Sequence, residues 1–128
     1  MVDHEEIYKL GASLRPINTQ MLKPGRVWFY GGEAYFDIFF ELSQNEIDWF
    51  QLTLRGRSLT WNAGDRTIQT GITNELVVPD VSYYSASKTI DDDPASDQDF
   101  IALTKEILKT RPDQPLFRQM LHLLDQSA

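Results

Sequence analysis

The sequence predicts an α+β domain in which an antiparallel meander sheet of four to five strands is packed on one face by C-terminal helices. Apolar residues alternate with a period of two from Val27 onward, which is typical of strands with one buried face. Near the C-terminus the apolar period becomes helical, and Pro112 divides that region in two. With 128 residues, of which 41% are hydrophobic, the chain suits a single domain, 1–128, with one core.

The N-terminal segment, residues 1–24, is predicted to begin with a short helix and to continue as an irregular connection. Asp3 and Glu6 have the spacing of a capping box, which satisfies the first free amides of a helix. We expect Gly11 and Pro16 to prevent this helix from running further.

The predicted sheet occupies residues 27–78. Gly31-Gly32 has the composition of a two-residue hairpin turn, because glycine adopts the positive φ that such turns require. The strand that follows begins at Ala34 and shows the cleanest alternation in the chain. After a polar loop, a new strand is predicted to start near Asp48.

The stretch WFQLTLRGRSLTW, residues 49–61, predicts a hairpin. Its apolar residues move from even to odd positions, so a straight strand would place the two sets on opposite faces. A type I′ turn at Arg55-Gly56 returns them to one face and sets Phe50 opposite Trp61. A glycine bulge within one bent strand is the alternative interpretation.

The remaining elements follow from weaker patterns. TIQTGIT predicts a strand with Ile68 opposite Leu59, and ELVV is compatible with one more short strand. The polar residues 79–95 are expected to cross the surface, where they could cover one edge of the sheet. Two helices are then predicted within residues 96–125.

The ends of those two helices are suggested by capping residues. Ser96 with Asp99 resembles a capping box for the first helix, and Pro112 ends it. Asp113 can cap the second helix, with Pro115 in its first turn.

One face of the predicted sheet is almost purely apolar and should form the core. Its members are Val27, Phe29, Phe36, Ile38, Phe40, Phe50, Leu52, Leu54, Leu59, Trp61 and Ile68.

The sequence shows no catalytic, metal-binding or cofactor motif, and we expect a non-enzymatic protein without a cofactor. Cysteine is absent, which excludes disulfides and thiolate chemistry. The acidic start MVDHEEIYKL and the lack of a long apolar run predict a soluble, cytoplasmic protein with no membrane partner. A formal net charge of −7 disfavours binding to nucleic-acid phosphates.

In an antiparallel sheet with one face exposed to solvent, the face opposite the core should be polar. Here alternation places five aromatic residues on it. They are Trp28, Tyr30, Tyr35, Phe39 and Trp49.

Three interpretations of this aromatic face remain open. Residues 12–24 or 79–95 could fold over it, or it could be the interface of a homodimer or of another protein partner. It could also stack single-stranded bases. In that alternative Arg55, Arg57 and Arg66 are the candidate phosphate contacts.

The stretch WFQLTLRGRSLTWNAGDRTIQTGITNE, with the helical C-terminus behind it, resembles a family of small proteins from oxygenic photosynthetic bacteria. That family is associated with the Whirly-like fold of single-stranded-DNA-binding transcriptional regulators. The resemblance covers roughly residues 27–125 and implies a curved antiparallel sheet followed by helix, together with pairing of subunits. The aromatic face and the lack of a catalytic motif lead to our hypothesis of a non-enzymatic, self-associating interaction or regulatory domain, with single-stranded nucleic-acid binding as the alternative.

Overall fold

The computed structural model describes residues 2–17, 24–73 and 90–127. The described strands are Arg15–Pro16 (β1), Arg26–Tyr30 (β2), Asp37–Ser43 (β3), Glu46–Leu54 (β4), Arg57–Asn62 (β5), Ile68–Thr73 (β6) and Ile90–Asp92 (β7). The described helices are His4–Ser13 (α1), Gln98–Lys109 (α2) and Pro115–Gln126 (α3).

The strands form one antiparallel sheet whose spatial order, β1 to β7, is the order of the chain. The α+β prediction is confirmed, but within the described residues the sheet has seven strands instead of four or five. The two unexpected strands, β1 and β7, have two and three residues, too few to show an alternating pattern. They lie in segments that the sequence predicted to be irregular.

The central hairpin has the predicted register. Phe50 pairs with Trp61, and Leu54 pairs with Arg57. Arg55 and Gly56 both have positive φ, 51° and 81°, as a type I′ turn requires. The alternative of a bulge in one bent strand is wrong.

The turns on either side of this hairpin differ from the prediction. Tyr30 pairs with Asp37, so residues 31–36 form a loop, and neither the two-residue glycine turn nor a strand from Ala34 is present. Tyr35 has φ 62°, which no strand residue can keep. The strand after β3, β4, starts at Glu46 instead of near Asp48, because the turn between β3 and β4 contains only two residues.

The register of β6 is shifted from the predicted one by two residues. Ile68 pairs with Trp61, and Leu59 pairs with Thr70. The turn between β5 and β6 is compact: the amide of Arg66 donates to the carbonyl of Asn62 at 2.8 Å. The possible ELVV strand lies outside the described residues.

The helix caps are partly as predicted. Asp3 caps α1 and accepts from the amide of Glu6, but the helix passes through Gly11 to Ser13. Asp97, not Ser96, caps α2, because its carboxylate accepts from the amide of Phe100.

The cap of α3 also differs from the prediction. Gln114 instead of Asp113 occupies this position. The carboxylate of Asp113 accepts hydrogen bonds from Arg111.

The predicted core face is buried against the helices, with the exception of Val27 and Ile68, which are half-buried. The helix α1 contributes Leu10, and the segment after it contributes Leu14. The helices α2 and α3 contribute Phe100, Ile101, Ile107, Leu108, Phe117, Met120 and Leu124. We call the opposite side of the sheet the outer face. Several of its residues, including Phe39, Gln51 and Ser58, are buried as well. Of the two segments predicted to fold over this face, residues 18–23 and 79–89 lie outside the described residues.

Candidate interaction site on the outer face

Three aromatic rings form a continuous row across β2, β3 and β4. Trp28 and Phe39 are direct partners in the sheet, with ring centroids 6.2 Å apart. Phe39 and Trp49 contact each other edge to face at 5.9 Å. We call these three residues the aromatic row. Its geometry lies in the range in which aromatic pairs attract one another.

The row is exposed unevenly. Phe39, in the middle, is only 7% exposed, whereas both tryptophans are half-buried. Tyr30, on the same strand as Trp28, is 49% exposed and extends the aromatic surface. Four of the five residues predicted from alternation therefore do lie on outer-face strands.

The fifth residue, Tyr35, is placed differently. It lies in the loop of residues 31–36, and its backbone carbonyl accepts a hydrogen bond from the hydroxyl of Thr53 at 3.2 Å. The prediction that Tyr35 belongs to a strand face was wrong because the strand begins two residues later.

Buried polar residues lie beside the aromatic row. Asp37 is only 2% exposed and accepts hydrogen bonds from the indole nitrogen of Trp28, at 3.0 Å, and from the hydroxyl of Thr53. Gln51 is also buried and donates to the hydroxyl of Thr60 at 3.3 Å. Alternation alone predicts that the side chains at these positions are exposed to solvent. The signal that could have been noticed is a single carboxylate inside the aromatic sequence YFDIFF.

A charged pair borders the row. Arg26 and Glu41 are partners in the sheet, with guanidinium nitrogen and carboxylate oxygen 3.3 Å apart. Their side chains are 40% and 43% exposed. The pair is therefore accessible to another molecule that contacts the tryptophans.

The candidate phosphate contact at the hairpin tip, Arg55, is held by two carboxylates. It donates to Glu33 at 3.0 Å and to Glu6 at 2.7 Å. These hydrogen bonds, with Glu33 contributing most, raise the pKa of Arg55 above its usual range. The guanidinium thus joins α1, the loop 31–36 and the central hairpin.

Arg57 is held in the same way on the helix side of the sheet. One of its terminal nitrogens donates to Asp93 at 2.7 Å and to Asp97 at 2.6 Å. Thr70 donates to the same carboxylate of Asp93, and this bond, followed by those from Arg57, holds the pKa of Asp93 below its usual range. The guanidinium carbon is also 6.0 Å from the centre of the Phe100 ring.

Arg66, the third candidate, lies in the turn between β5 and β6 with φ 55°. Its guanidinium carbon is 5.9 Å from the centre of the Trp61 ring, which belongs to the core face. The structure therefore does not bring the three arginines together with the aromatic row.

Among residues 2–17, 24–73 and 90–127, no group of three or more histidine, aspartate or glutamate side chains is arranged to hold a metal ion. In the same ranges, no helix is long and apolar enough to cross a bilayer.

No protein-family model, curated protein or solved structure matches the chain. The resemblance to Whirly-like proteins therefore stays a prediction.

Proposed function

We propose that the protein is a non-enzymatic interaction domain that self-associates through the aromatic row. The observation that carries the proposal is the pair of half-buried, partly accessible tryptophans on either side of the buried Phe39 ring. Aromatic side chains are enriched at the centres of protein interfaces, and tryptophan is over-represented among the residues that dominate binding energy.

The side chains of the aromatic row are preorganised in the free protein. The hydrogen bond to Asp37 fixes the ring of Trp28, and contact with Phe39 restricts Trp49. Association then orders fewer side chains, which lowers its entropic cost.

The charges beside the row favour a second copy of this chain as the partner. A twofold interface places the same patch on both sides, so the patch must complement itself. Arg26 and Glu41 satisfy this condition because Arg26 of one copy can meet Glu41 of the other. A patch of a single sign would repel its own copy.

The single-stranded nucleic-acid alternative uses the same aromatic row but needs cations close to it. Arg55 and Arg57 each contact two carboxylates, and those contacts would have to break before either arginine could bind phosphate. With a net charge of −7 on the chain, we rank this alternative second.

Light scattering after size exclusion tests the proposal. We expect the wild type to elute as a dimer and the Trp49→Thr variant to elute as a monomer, because threonine keeps strand propensity but removes the ring. Tyr8→Ser is the matched control, since Tyr8 is 64% exposed on α1 and lies outside the row. A wild type that stays monomeric at its highest soluble concentration would refute self-association.

A charge exchange separates self-association from binding to an unrelated protein. Arg26→Glu and Glu41→Arg alone should each weaken the dimer, because like charges then face each other across the interface. The double variant should restore it. Adding a labelled single-stranded oligonucleotide at low salt tests the alternative, and we expect it to elute separately from the protein.

A further inference from the structure

A cleft of about 750 Å³ lies between α1 and α2, on the helix side of the sheet. Its apolar floor consists of Val2, Ile7, Phe100 and Leu103. Three of these side chains are only partly buried although they pack against the core. Small-molecule sites typically have volumes of about 300 to 1,000 Å³ and mostly apolar walls with a few polar groups. The size and the lining of this cleft meet that description.

The polar groups around the cleft have an excess of negative charge. Among the residues that the structure describes, Asp97, Asp99 and Glu106 line it together with Arg57. The formal charge of this described part of the lining is therefore one positive against three negative groups, or −2.

Most of these charges are already occupied. Arg57 is neutralised by Asp93 and Asp97. Asp97 also accepts from the amide of Phe100, so it satisfies the amino-terminal end of α2. Glu106 pairs with a lysine one helical turn away, at 2.9 Å.

Asp99 is the exception. It is exposed in the first turn of α2, and its side chain makes no hydrogen bond or ion pair with any residue of the described chain. Asp99 thus offers a carboxylate at the rim of an apolar cleft in which the described cation, Arg57, is already neutralised.

We propose that this cleft binds a small amphiphilic amine, with its apolar chain on the floor and its ammonium group at Asp99. A carboxylate ligand would meet the net negative lining, and a neutral ligand would leave Asp99 unused. The site lies on the side of the sheet away from the aromatic row. Arg57, which lines the cleft, is the strand partner of the core residue Leu54, and paired residues point to the same face of a sheet. Binding there goes beyond the proposed self-association and does not depend on it.

Isothermal titration with two probes of equal chain length tests the charge preference. Octylammonium and octanoate differ chiefly in the sign of the head group, and we expect octylammonium to bind about tenfold more tightly at low salt. Added salt should reduce this ratio because the rim is exposed. Equal affinities, or failure of octylammonium to bind, would overturn the proposal.

Three variants locate the site. Asp99→Asn should reduce the ratio to about threefold, because one exposed charge is removed. Asp92→Asn is the control: Asp92 is exposed on β7 outside the lining, and its loss changes the net charge equally, so the tenfold ratio should remain. Leu103→Gln should weaken octylammonium binding about tenfold by making the floor polar.

Two results would contradict this location. One is an unchanged ratio in Asp99→Asn. The other is unchanged octylammonium binding in Leu103→Gln. The control for this variant is Leu121→Gln on α3, which also places a polar group at a half-buried leucine and should leave octylammonium binding unchanged.

Discussion

Asp37 places a carboxylate where solvent scarcely reaches it. Removing a charge from water costs several kcal/mol unless hydrogen bonds replace the lost hydration. The indole of Trp28 and the hydroxyl of Thr53 supply two of these hydrogen bonds. Asp37 therefore connects β3 to both neighbouring strands and fixes one end of the aromatic row.

We expect Asp37→Ala to lower the free energy of unfolding by about 2 to 4 kcal/mol, because it leaves buried donors without their acceptor. Urea denaturation measures this loss. Asp48→Ala is the control, since Asp48 is exposed on the adjacent strand and its loss should change stability by less than about 0.5 kcal/mol. Similar stabilities for the two variants would show that the hydrogen bonds of Asp37 contribute little.

At the scale of residues, the sequence predicted the aromatic row but not the buried polar residues and ion pairs around it. Trp28, Phe39 and Trp49 follow from alternation because the period of a strand decides which face a residue occupies. The burial of Asp37 does not follow, because it depends on neighbours across the sheet and not on spacing along the chain. The partners of the arginines were missed for the same reason.

At the scale of elements, α1 and α2 meet at a glycine. A Cβ atom added to Gly11 would lie 1.8 Å from the hydroxyl oxygen of Thr110. Arg111 also donates to the carbonyls of Gly11 and Leu14, at 3.0 and 2.9 Å. Gly11 thus lies inside α1 because the helices approach closely there, which explains why it does not end the helix as predicted.

Gly11→Ala distinguishes packing from helix propensity. Propensity alone predicts a gain of about 1 kcal/mol from replacing a glycine inside a helix. We expect instead a loss of about 1 to 3 kcal/mol, because the methyl group overlaps Thr110. Thr110→Ala in the same chain should recover part of the loss, and a thermal-unfolding double-mutant cycle measures this coupling. A stabilised Gly11→Ala variant would contradict the close approach.

The elements themselves were predictable to different degrees. The prediction of the central hairpin was correct because two signals fix its register: the apolar residues move from even to odd positions, and Gly56 allows the turn. The loop 31–36 was missed because Tyr35 adopts positive φ although it is not a glycine, and nothing in its identity signals this. The short strands β1 and β7 are defined by pairing with longer neighbours, and local sequence carries little information about such pairing.

At the scale of the whole molecule, ion pairs connect the sheet to the helices and make stability depend on pH. The pKa of Asp93 is lowered in the folded protein, first by Thr70 and then by Arg57. Its contribution is present above the unfolded value of about 3.9 and is lost as pH falls through the lower folded value.

We expect Asp93→Asn to flatten the acid side of the stability curve. The melting temperature of the wild type should fall more than that of the variant between about pH 6 and about pH 3. Asp92→Asn, at the exposed neighbouring position, should keep the pH dependence of the wild type. Parallel curves for Asp93→Asn and the wild type would show that the Thr70 and Arg57 contacts do not favour the charged carboxylate.

The order of the strands also bears on how the sheet assembles. Because β1 to β7 are neighbours both in space and along the chain, each strand can add to the one made just before it. The turns after β3 and β4 contain only two residues each, so joining β3, β4 and β5 requires little loop-closure entropy. Short-range pairings of this kind lower contact order, which favours rapid folding compared with sheets whose strands come from distant parts of the chain.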